Sequence, residues 1–513
     1  MLNNKLNKNA MIAINLLASL IALVAGIGLN FILAPIIVEN LGVEANGFVQ
    51  LANNFVMFAN LITIALNSMA GRFISIAYQR GEFGKAQGYY STISFANWII
   101  TIIILIPFSI ITYYLDTILE VPKDILSDVQ LLFGFIFINF LILTLLSTWG
   151  VATFITNKLY LQSLNTICSQ LIRLLLTFGL FVLYEPTLHF IGLAILISTI
   201  YVCLMNYIYK IKLTPDLKYK KSKLSFNKFK EVTSSGIWNT IQTAGFLMLT
   251  AVDLLVVNLL LGPHAMGVLS IAKLLPTTML TISGTINSIF IPNFLNLYAS
   301  NKISELGKEV KQSMKIVGIL LMVPLTCIFI FGQDFYRLWV PTEDASLLYY
   351  LTSVSILNMI FTSSISPMFN LFTITNKLKF NAILIIVSGF LNIILMILLI
   401  KYTDLGIYAV AGLSTIINLI RNLCFIAPYS AKCIGLKWYA FYPKIISFII
   451  PFGVVMILGY LLKNIYHVYN WFDFFIVTVL MSLITFIVNY FIALTKHEKK
   501  LFLNFFWGKI IRR

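Results

Sequence analysis

The hydropathy of this chain rises and falls about fourteen times along its 513 residues, and each rise is long enough to cross a bilayer. A helix needs about 20 apolar residues to span the hydrocarbon core. Fourteen such segments with short connections use nearly the whole sequence, so no soluble domain of ordinary size remains. Only 11% of the residues are charged, whereas a soluble domain averages about 25%. We therefore predict an all-α polytopic membrane protein with 14 transmembrane helices.

The hydropathy maxima define the bounds of these helices. The first six are predicted at 11–38, 47–71, 90–115, 129–154, 161–183 and 188–209, and the next six at 236–261, 265–297, 314–331, 346–372, 380–400 and 405–426. The last two are predicted at 438–462 and 472–494. A polar, lysine-rich connector of residues 210–235 separates the two groups of six.

The cations are sorted onto alternate connections. If the spans alternate in direction, 29 of the 36 Lys and Arg residues fall on one side, four on the other and three inside spans. The four are Lys123, Arg337, Lys401 and Lys463. By the positive-inside rule, the richer side is cytoplasmic, which places both termini and the connector there. The net charge of +17 thus reflects topology, and nucleic-acid binding is not expected because no basic soluble unit exists.

The first half of the chain is repeated in the second. Residues 41–78 align without gaps on 261–298, with nine identities in 38 positions that include a Leu-Gly-x-x-Ala-x-Gly pattern and a later Asn-Ser. Six spans per copy is an even number, so the copies share one orientation and form a parallel repeat. We predict an N-lobe at 1–209, the connector at 210–235, a C-lobe at 236–430, and two further helices with a cytoplasmic tail at 431–513.

No catalytic constellation appears in the sequence. The four histidines are scattered, and no nucleotide-binding or zinc-protease motif is found, so we expect neither an enzyme nor a cofactor nor a metal site. Two homologous bundles suit alternating access to a substrate held between them. Duplicated bundles also occur in proteins that are not transporters, and that alternative stays open here.

Charged residues inside spans cost about 2.5–3.5 kcal/mol on the insertion scale and are usually functional. Arg173 lies near mid-depth of the fifth span, Arg421 in the inner half of the twelfth and Lys273 in the outer half of the eighth. Arg72 lies at the inner end of the second. We predict that these four bind an anionic group such as pyrophosphate, whose oxygens an arginine can chelate. Interfacial anchoring of Arg72 and snorkelling of Arg421 are the competing interpretations.

Several uncharged or acidic polar residues also lie within spans. Asp253, in the seventh span, is predicted either to couple an ion or proton or to pair with a cation such as Lys273. Amides recur on the second and seventh spans at Asn53, Asn60, Asn67 and Asn239. They could hydrogen-bond sugar hydroxyls along a water-filled path, or they could bond between helices at about 0.6 kcal/mol each.

Three motifs near the start of the chain are an opening Asn-x-x-x-x-x-Asn, Leu41-Gly-Val-Glu-Ala-Asn-Gly47, and Gly71-Arg72-Phe73 followed by a basic loop. They resemble those of the Wzx-type polysaccharide flippases, in the superfamily that includes MATE exporters and the lipid II flippase MurJ. The resemblance covers the whole chain as six plus six plus two spans. It implies flipping of an undecaprenyl-pyrophosphate-linked oligosaccharide to the outer leaflet of a bacterial plasma membrane, through a cationic cavity. A polysaccharide polymerase and glycosyltransferases are the implied protein partners.

The first span departs from two members of that superfamily. It holds no acid, although MATE-like exporters often carry one there, and no cation, although MurJ-like proteins carry a basic cluster beginning there. Both departures favour a lipid-linked oligosaccharide as the substrate, rather than a drug or lipid II. The alternatives are an ion-coupled multidrug exporter of the MATE kind and a membrane-embedded glycosyltransferase. The latter should have a sizeable extramembrane loop, which this sequence lacks.

Overall fold

The structure, a computed structural model, describes residues 8–493 and residue 499, and within them it is built from helices alone. The cations of the extreme termini on which the topology prediction partly depends lie outside the described residues; these are Lys5, Lys496, Lys500, Lys509, Arg512 and Arg513. The chain divides into two compact units, residues 1–271 and 272–513. The predicted lobes follow the sequence repeat rather than compactness, so they stay a prediction.

The helices of the first unit follow one another with short connections. They are α1 (Lys8–Leu41), α2 (Val43–Gln79), α3 (Phe83–Tyr113), α4 (Leu115–Ile118), α5 (Leu126–Leu146), α6 (Val151–Ile155), α7 (Leu159–Leu183), α8 (Leu188–Leu213), α9 (Phe226–Thr250) and all but the last residue of α10 (Val252–Ala272). Short 3₁₀ turns lie at Ser147–Gly150 and Lys221–Lys223.

The second unit continues with helices of similar lengths. They are α11 (Leu274–Ser288), α12 (Ile291–Ala299), α13 (Ile303–Trp339), α14 (Ala345–Ile356), α15 (Met359–Ile365), α16 (Phe369–Ile374), α17 (Leu378–Tyr402), α18 (Ile407–Arg421), α19 (Ala427–Cys433), α20 (Tyr442–Ile446), α21 (Ile449–Ile465) and α22 (Trp471–Ile492). A 3₁₀ turn at Ser366–Met368 precedes α16, and a π-helical turn at Asn422–Ile426 joins α18 to α19.

Thirteen helical stretches of the described residues are long and apolar enough to cross a membrane. One of them, Phe226–Ala299, has 74 residues, or about 110 Å at 1.5 Å per residue, which exceeds three times the thickness of a hydrocarbon core. It is interrupted at Gly262, whose φ of 89° and ψ of 173° are not helical. The stretch therefore contains two crossings, and the prediction of an all-α multi-pass membrane protein is confirmed.

The internal repeat is visible in the helix bounds. Helix α13 begins at Ile303 and α3 at Phe83, which is the same offset that relates residues 41–78 to 261–298. Helix α17 matches α7 at both ends, with an offset shorter by a single position. Gly42, with φ 81° and ψ 166°, has nearly the conformation of its counterpart Gly262. A side chain is strained at such a positive φ, which explains why glycine recurs at both positions.

A pentapeptide that the sequence analysis missed marks the same repeat. Ile-Thr-Asn-Lys-Leu occurs at residues 155–159 and again at 374–378. In each copy the asparagine, Asn157 or Asn376, ends a helix in the left-handed conformation, with φ 54° or 55°. The N–H of the following lysine then donates to a carbonyl five residues earlier at 2.9 Å, as in a Schellman cap. The pentapeptide therefore fixes the register in which α17 corresponds to α7.

Each unit has its own apolar core. In the first, Ile74 of α2, Ile93 of α3 and Val232 of α9 are buried in one cluster. In the second, α13 passes through two clusters, one around Met314 and one around Val477 of α22. Helix α13 therefore connects the apolar core of the second unit with the last two spans.

The last two spans are fastened to α13 by ionic as well as apolar contacts. Gly459 of α21 lies against the side chain of Ile330 of α13, which leaves no room for a side chain at this position. Asp334 pairs with Arg337 and with Lys463 of α21, at 3.2 Å each. Two of the four cations on the cation-poor side thus share one carboxylate, and the pair between Asp334 and Lys463 links α13 to α21.

Helices α2 and α10 cross within the first unit at two repeat-equivalent glycines, Gly47 and Gly267. A Cβ added to Gly267 would lie 2.6 Å from the carbonyl carbon of Val43 and 2.8 Å from the amide nitrogen of Glu44. Close to this crossing, Asn46 donates to the hydroxyl of Ser270 at 2.7 Å. Backbones this close require small residues, which is how helices pack where no hydrophobic effect drives them together.

Replacement of Gly267 by Ala should lower the thermal unfolding midpoint of the detergent-solubilised protein by several degrees. The added methyl group overpacks the crossing, at a cost of about 1–3 kcal/mol. Gly179→Ala on α7 is the matched control, because nothing lies within 4 Å of a Cβ added there. Equal midpoints for the two variants would contradict the close crossing.

Candidate functional site

Helix α7 carries a polar stripe through the middle of the first unit's fifth span. Residues at positions i, i+4, i+8 and i+12 lie on one face of a helix, and on α7 that face presents Asn165, Ser169, Arg173 and Thr177, with Gln170 beside them. The stripe faces α8 on one side, where the hydroxyl of Tyr209 donates to Asn165 Oδ1 at 3.3 Å. It faces α1 on the other, where Gly26 leaves room for Gln170.

Arg173 is the only charged residue of that stripe. Its Nε is buried and has no hydrogen-bond partner, and no carboxylate of residues 8–493 lies within ion-pairing distance of it. An uncompensated cation inside a span is costly unless an anion binds it. Arg173 is therefore the strongest anion-binding candidate of the first unit.

The counterpart of Arg173 in the second unit is Asn392 on α17, in the register that the repeated pentapeptide fixes. Asn392 is 1% exposed, and both its Nδ2 and its Oδ1 are buried without a hydrogen-bond partner. Buried amides normally have partners, so this side chain is the second candidate. Sequence reasoning missed it, although the pentapeptide would have aligned it with Arg173.

Arg421 lies where α18 gives way to the π-helical turn Asn422–Ile426. Its Nε and Nη1 are buried without partners, as is the Oδ1 of Asn422. A snorkelling arginine would extend these nitrogens into water. Their burial therefore favours the binding of an anion by Arg421 over snorkelling. Single π-helical turns occur frequently at functional sites, which agrees with this interpretation.

The amide-rich second span pairs with α9 in antiparallel fashion. Gly236 of α9 lies against the backbone of Ala65, and Asn54 donates to the carbonyl of Ala251 at 2.9 Å. No side chain could be accommodated at Gly236 without displacing the α2 backbone. The two helices thus meet both at Gly236 and at the C-terminal end of α9.

Two predicted amides fall between these contacts. Asn60 of α2 is exposed and Asn239 of α9 is half-buried, so both remain accessible on the same helix pair. Asn53 is half-buried and donates only to the carbonyl of Val49 in its own helix, at 2.8 Å. These three amides retain hydrogen-bonding capacity for a ligand.

Asn67 is held within the protein instead. It exchanges hydrogen bonds with Asn97 of α3 at 3.0 and 3.3 Å, and it accepts from Ser147 at 3.4 Å. In the second unit its counterpart Asn287 donates to Ser283, which bonds Ser366, the counterpart of Ser147. The recurring asparagine therefore links its helix to the 3₁₀ turn, which favours a role in helix packing.

The three remaining predicted site residues lie on different helices or helix junctions. Arg72 is exposed on α2, and Lys273 is half-buried at the junction of α10 and α11. Asp253 is buried in the first turn of α10, where its Oδ1 accepts from the Leu254 N–H at 2.9 Å. A carboxylate is stabilised at such a helix start, so its position is explained with or without ion coupling.

Comparisons with known proteins show which sequences and folds this chain is similar to. No protein-family model matches the chain. The chain is similar to a Bacillus subtilis (strain 168) protein described as the uncharacterized membrane protein EpsK, with 29% identity over 437 residues, 85% of this chain and 86% of that protein.

Several solved structures share the fold. An inward-facing multidrug resistance MATE family transporter of the MOP superfamily aligns with a TM-score of 0.63 and 13% identity, covering 80% of this chain and 94% of its own. The lipid II flippase MurJ, in an inward closed conformation, aligns with a TM-score of 0.62 and 14% identity, covering 96% and 99%. The MurJ match is long enough to include part of the last two spans.

Asn67→Ala should lower the unfolding midpoint of the purified protein, whereas Asn60→Ala should leave it unchanged. The first change removes bonds between three helical segments, worth roughly 1 kcal/mol in a membrane protein. The second removes an exposed amide whose Oδ1 accepts only from Thr63, within its own helix. A loss of stability in Asn60→Ala alone would contradict the assignment of Asn67 to helix packing and of Asn60 to the accessible surface.

Proposed function

We propose that this protein moves a polyprenyl-pyrophosphate-linked oligosaccharide from the cytoplasmic to the outer leaflet of a bacterial plasma membrane by alternating access. The observation that carries the proposal is Arg173, a cation within a membrane span that no carboxylate of the described chain neutralises. The ligand that compensates it must be anionic. A pyrophosphate offers two charged groups to a planar guanidinium.

The surroundings of Arg173 suit the sugar part of such a substrate. Ser169, Gln170 and Thr177 share its stripe, and the Thr177 hydroxyl is buried without a partner. Hydroxyl and amide groups both donate and accept hydrogen bonds, as recognition of sugar hydroxyls requires. Asn392, with two unpartnered polar atoms, supplies the same chemistry in the second copy of the repeat.

The fold supports a lipid-linked substrate. One of the similar structures is a flippase for lipid II, and this chain has the same fold along nearly its full length. The first span, α1, carries no charge between Lys8 and Glu39, which sets it apart from a cation exporter with an acid in that span. A polysaccharide polymerase and glycosyltransferases that use the same lipid remain predicted partners.

Purified protein in vesicles should move a fluorescent polyprenyl-pyrophosphate oligosaccharide between leaflets, measured as the fraction accessible to an external quencher. Empty vesicles are the control. In cells, deletion of the gene should remove a surface polysaccharide and leave drug tolerance unchanged. Unchanged glycan together with altered drug tolerance would favour the multidrug exporter, for which the buried carboxylate of Asp253 is the supporting observation.

Arg173→Gln should abolish lipid movement in the vesicle assay, and Arg173→Lys should retain part of it. Lysine keeps the charge but loses the planar pair of donors. Arg80→Gln, at the exposed end of α2, is the control and should be fully active. Full activity of Arg173→Gln in a protein of normal unfolding midpoint would remove Arg173 from the site.

A further inference from the structure

The connector between α8 and α9 is held against α3 by hydrogen bonds. Gln87 Nε2 donates to the carbonyl of Asp216 at 3.3 Å, the N–H of Lys220 donates to Ser91 at 2.9 Å, and the N–H of Ser225 donates to Thr92 at 3.2 Å. Leu217 and Thr214 of the connector are themselves buried. The connector therefore has a defined position along α3. We call residues 218–230, which are the rest of the connector and the first residues of α9, the basic strap.

The basic strap lies along the buried part of α3, residues 86–94, just before the exposed apolar band of that helix begins. Helix α3 has 31 residues, about 46 Å at 1.5 Å per residue, which is longer than the roughly 30 Å core of a bilayer. Its first large exposed apolar side chains beyond Phe83 are Phe95 and Trp98, and Ile102 and Ile106 continue the exposed band. Tyr219 of the strap stacks on Trp98, with ring centroids 5.7 Å apart. Tyr and Trp are enriched at the boundary between lipid and water.

Exposed lysines and aromatics alternate along this strap. Lys218, Lys220 and Lys221 flank Tyr219, and all four are exposed. Phe226, close to the strap's other end, is 77% exposed. A segment that combines exposed cations with exposed aromatic rings suits the headgroup region of an anionic bilayer, where the rings enter the acyl boundary and the ammonium groups meet phosphates.

Positive charge also converges on the first turns of α3. The Lys223 Nζ lies over Gly84, 3.3 Å from where a Cβ would be, and the Lys228 side chain crosses Gly88. Lys228 Nζ is 5.4 Å from the ring centroid of Tyr89, and it lies within electrostatic range of Lys223 and Lys85 and of the carboxylate of Glu231. The positive-inside rule explains the number of lysines on this side. It does not explain why three of them converge on two carboxylates, Glu231 and the Glu82 that pairs with Lys85, since the excess of like charge is repulsive unless a further anion compensates it.

We propose that the basic strap binds the phosphate headgroups of anionic phospholipids in the leaflet that it faces, the cytoplasmic one under the predicted topology. The lysines supply the charge, and Tyr219 and Phe226 supply the apolar anchors. This site goes beyond the proposed transport function and stands whether or not the protein moves a lipid-linked sugar.

Lysine acetylation in nanodiscs tests the proposal on the unmodified protein. Nanodiscs of phosphatidylcholine alone are compared with nanodiscs that also contain phosphatidylglycerol, and the acetylation rate of each lysine is read by peptide mass spectrometry. Lys218, Lys220, Lys221 and Lys223 should react about fivefold more slowly with phosphatidylglycerol present. The protection should disappear in 1 M salt, where the Debye length falls to about 3 Å.

The lysines at the start of α13, the repeat counterpart of α3, are the internal control. Lys302, Lys308 and Lys311 lie on the same predicted side, and their rates should not change. Equal slowing of these lysines, equal slowing in neutral nanodiscs, or protection that requires added pyrophosphate instead of phosphatidylglycerol would each overturn the proposal. The last outcome would assign the strap to a soluble or substrate phosphate.

A charge-matched pair of variants provides an independent readout. Native mass spectrometry should find fewer retained phosphatidylglycerol molecules on the variant Lys218→Gln, Lys220→Gln, Lys221→Gln than on the wild type. The variant Lys302→Gln, Lys308→Gln, Lys311→Gln loses the same charge and should retain as many as the wild type. Equal retention by the two variants would contradict a site on the strap.

Discussion

A bilayer core offers no hydrogen bonds, so every polar group placed inside it must find a partner in the protein or in a ligand. This constraint makes the described chain helical throughout, because a helix satisfies its own backbone. It also separates the polar side chains of the spans into two classes. Asn46 and Asn67 have partners on neighbouring helices. Arg173, Asn392 and Arg421 have buried polar atoms without partners, and these residues carry the functional argument.

The duplication provides a scaffold on which the two copies have diverged. Backbone features recur at matching positions, including the glycines before α2 and within α10 and the asparagine caps after α6 and α16. The buried charge of α7 does not recur, because Arg173 corresponds to the asparagine Asn392 on α17. Residues that recur in both copies are therefore those that the fold requires. A buried polar position that differs between the copies indicates that one copy acquired a separate role.

For the charged residues outside the spans, their number and their arrangement also have different causes. The number of lysines in the connector is explained by membrane insertion, but their arrangement is specific to this fold. Hydrogen bonds with Gln87, Ser91 and Thr92 of α3 hold the connector against that helix. On the opposite predicted side, Asp334 pairs with Arg337 of its own helix and with Lys463, and the pair with Lys463 links α21 to α13.

The sequence by itself determined the multi-pass helical architecture, because hydropathy follows directly from the thickness of a bilayer. It also identified Arg173 and Arg421 as exceptional, because a charge within an apolar run is visible without coordinates. Only the tertiary structure decided which polar residues have partners, since that depends on which helices meet. It assigned Asn67 to helix packing, left Asn60 accessible, and revealed Asn392, whose amide is ordinary in sequence and unpartnered only in its folded surroundings.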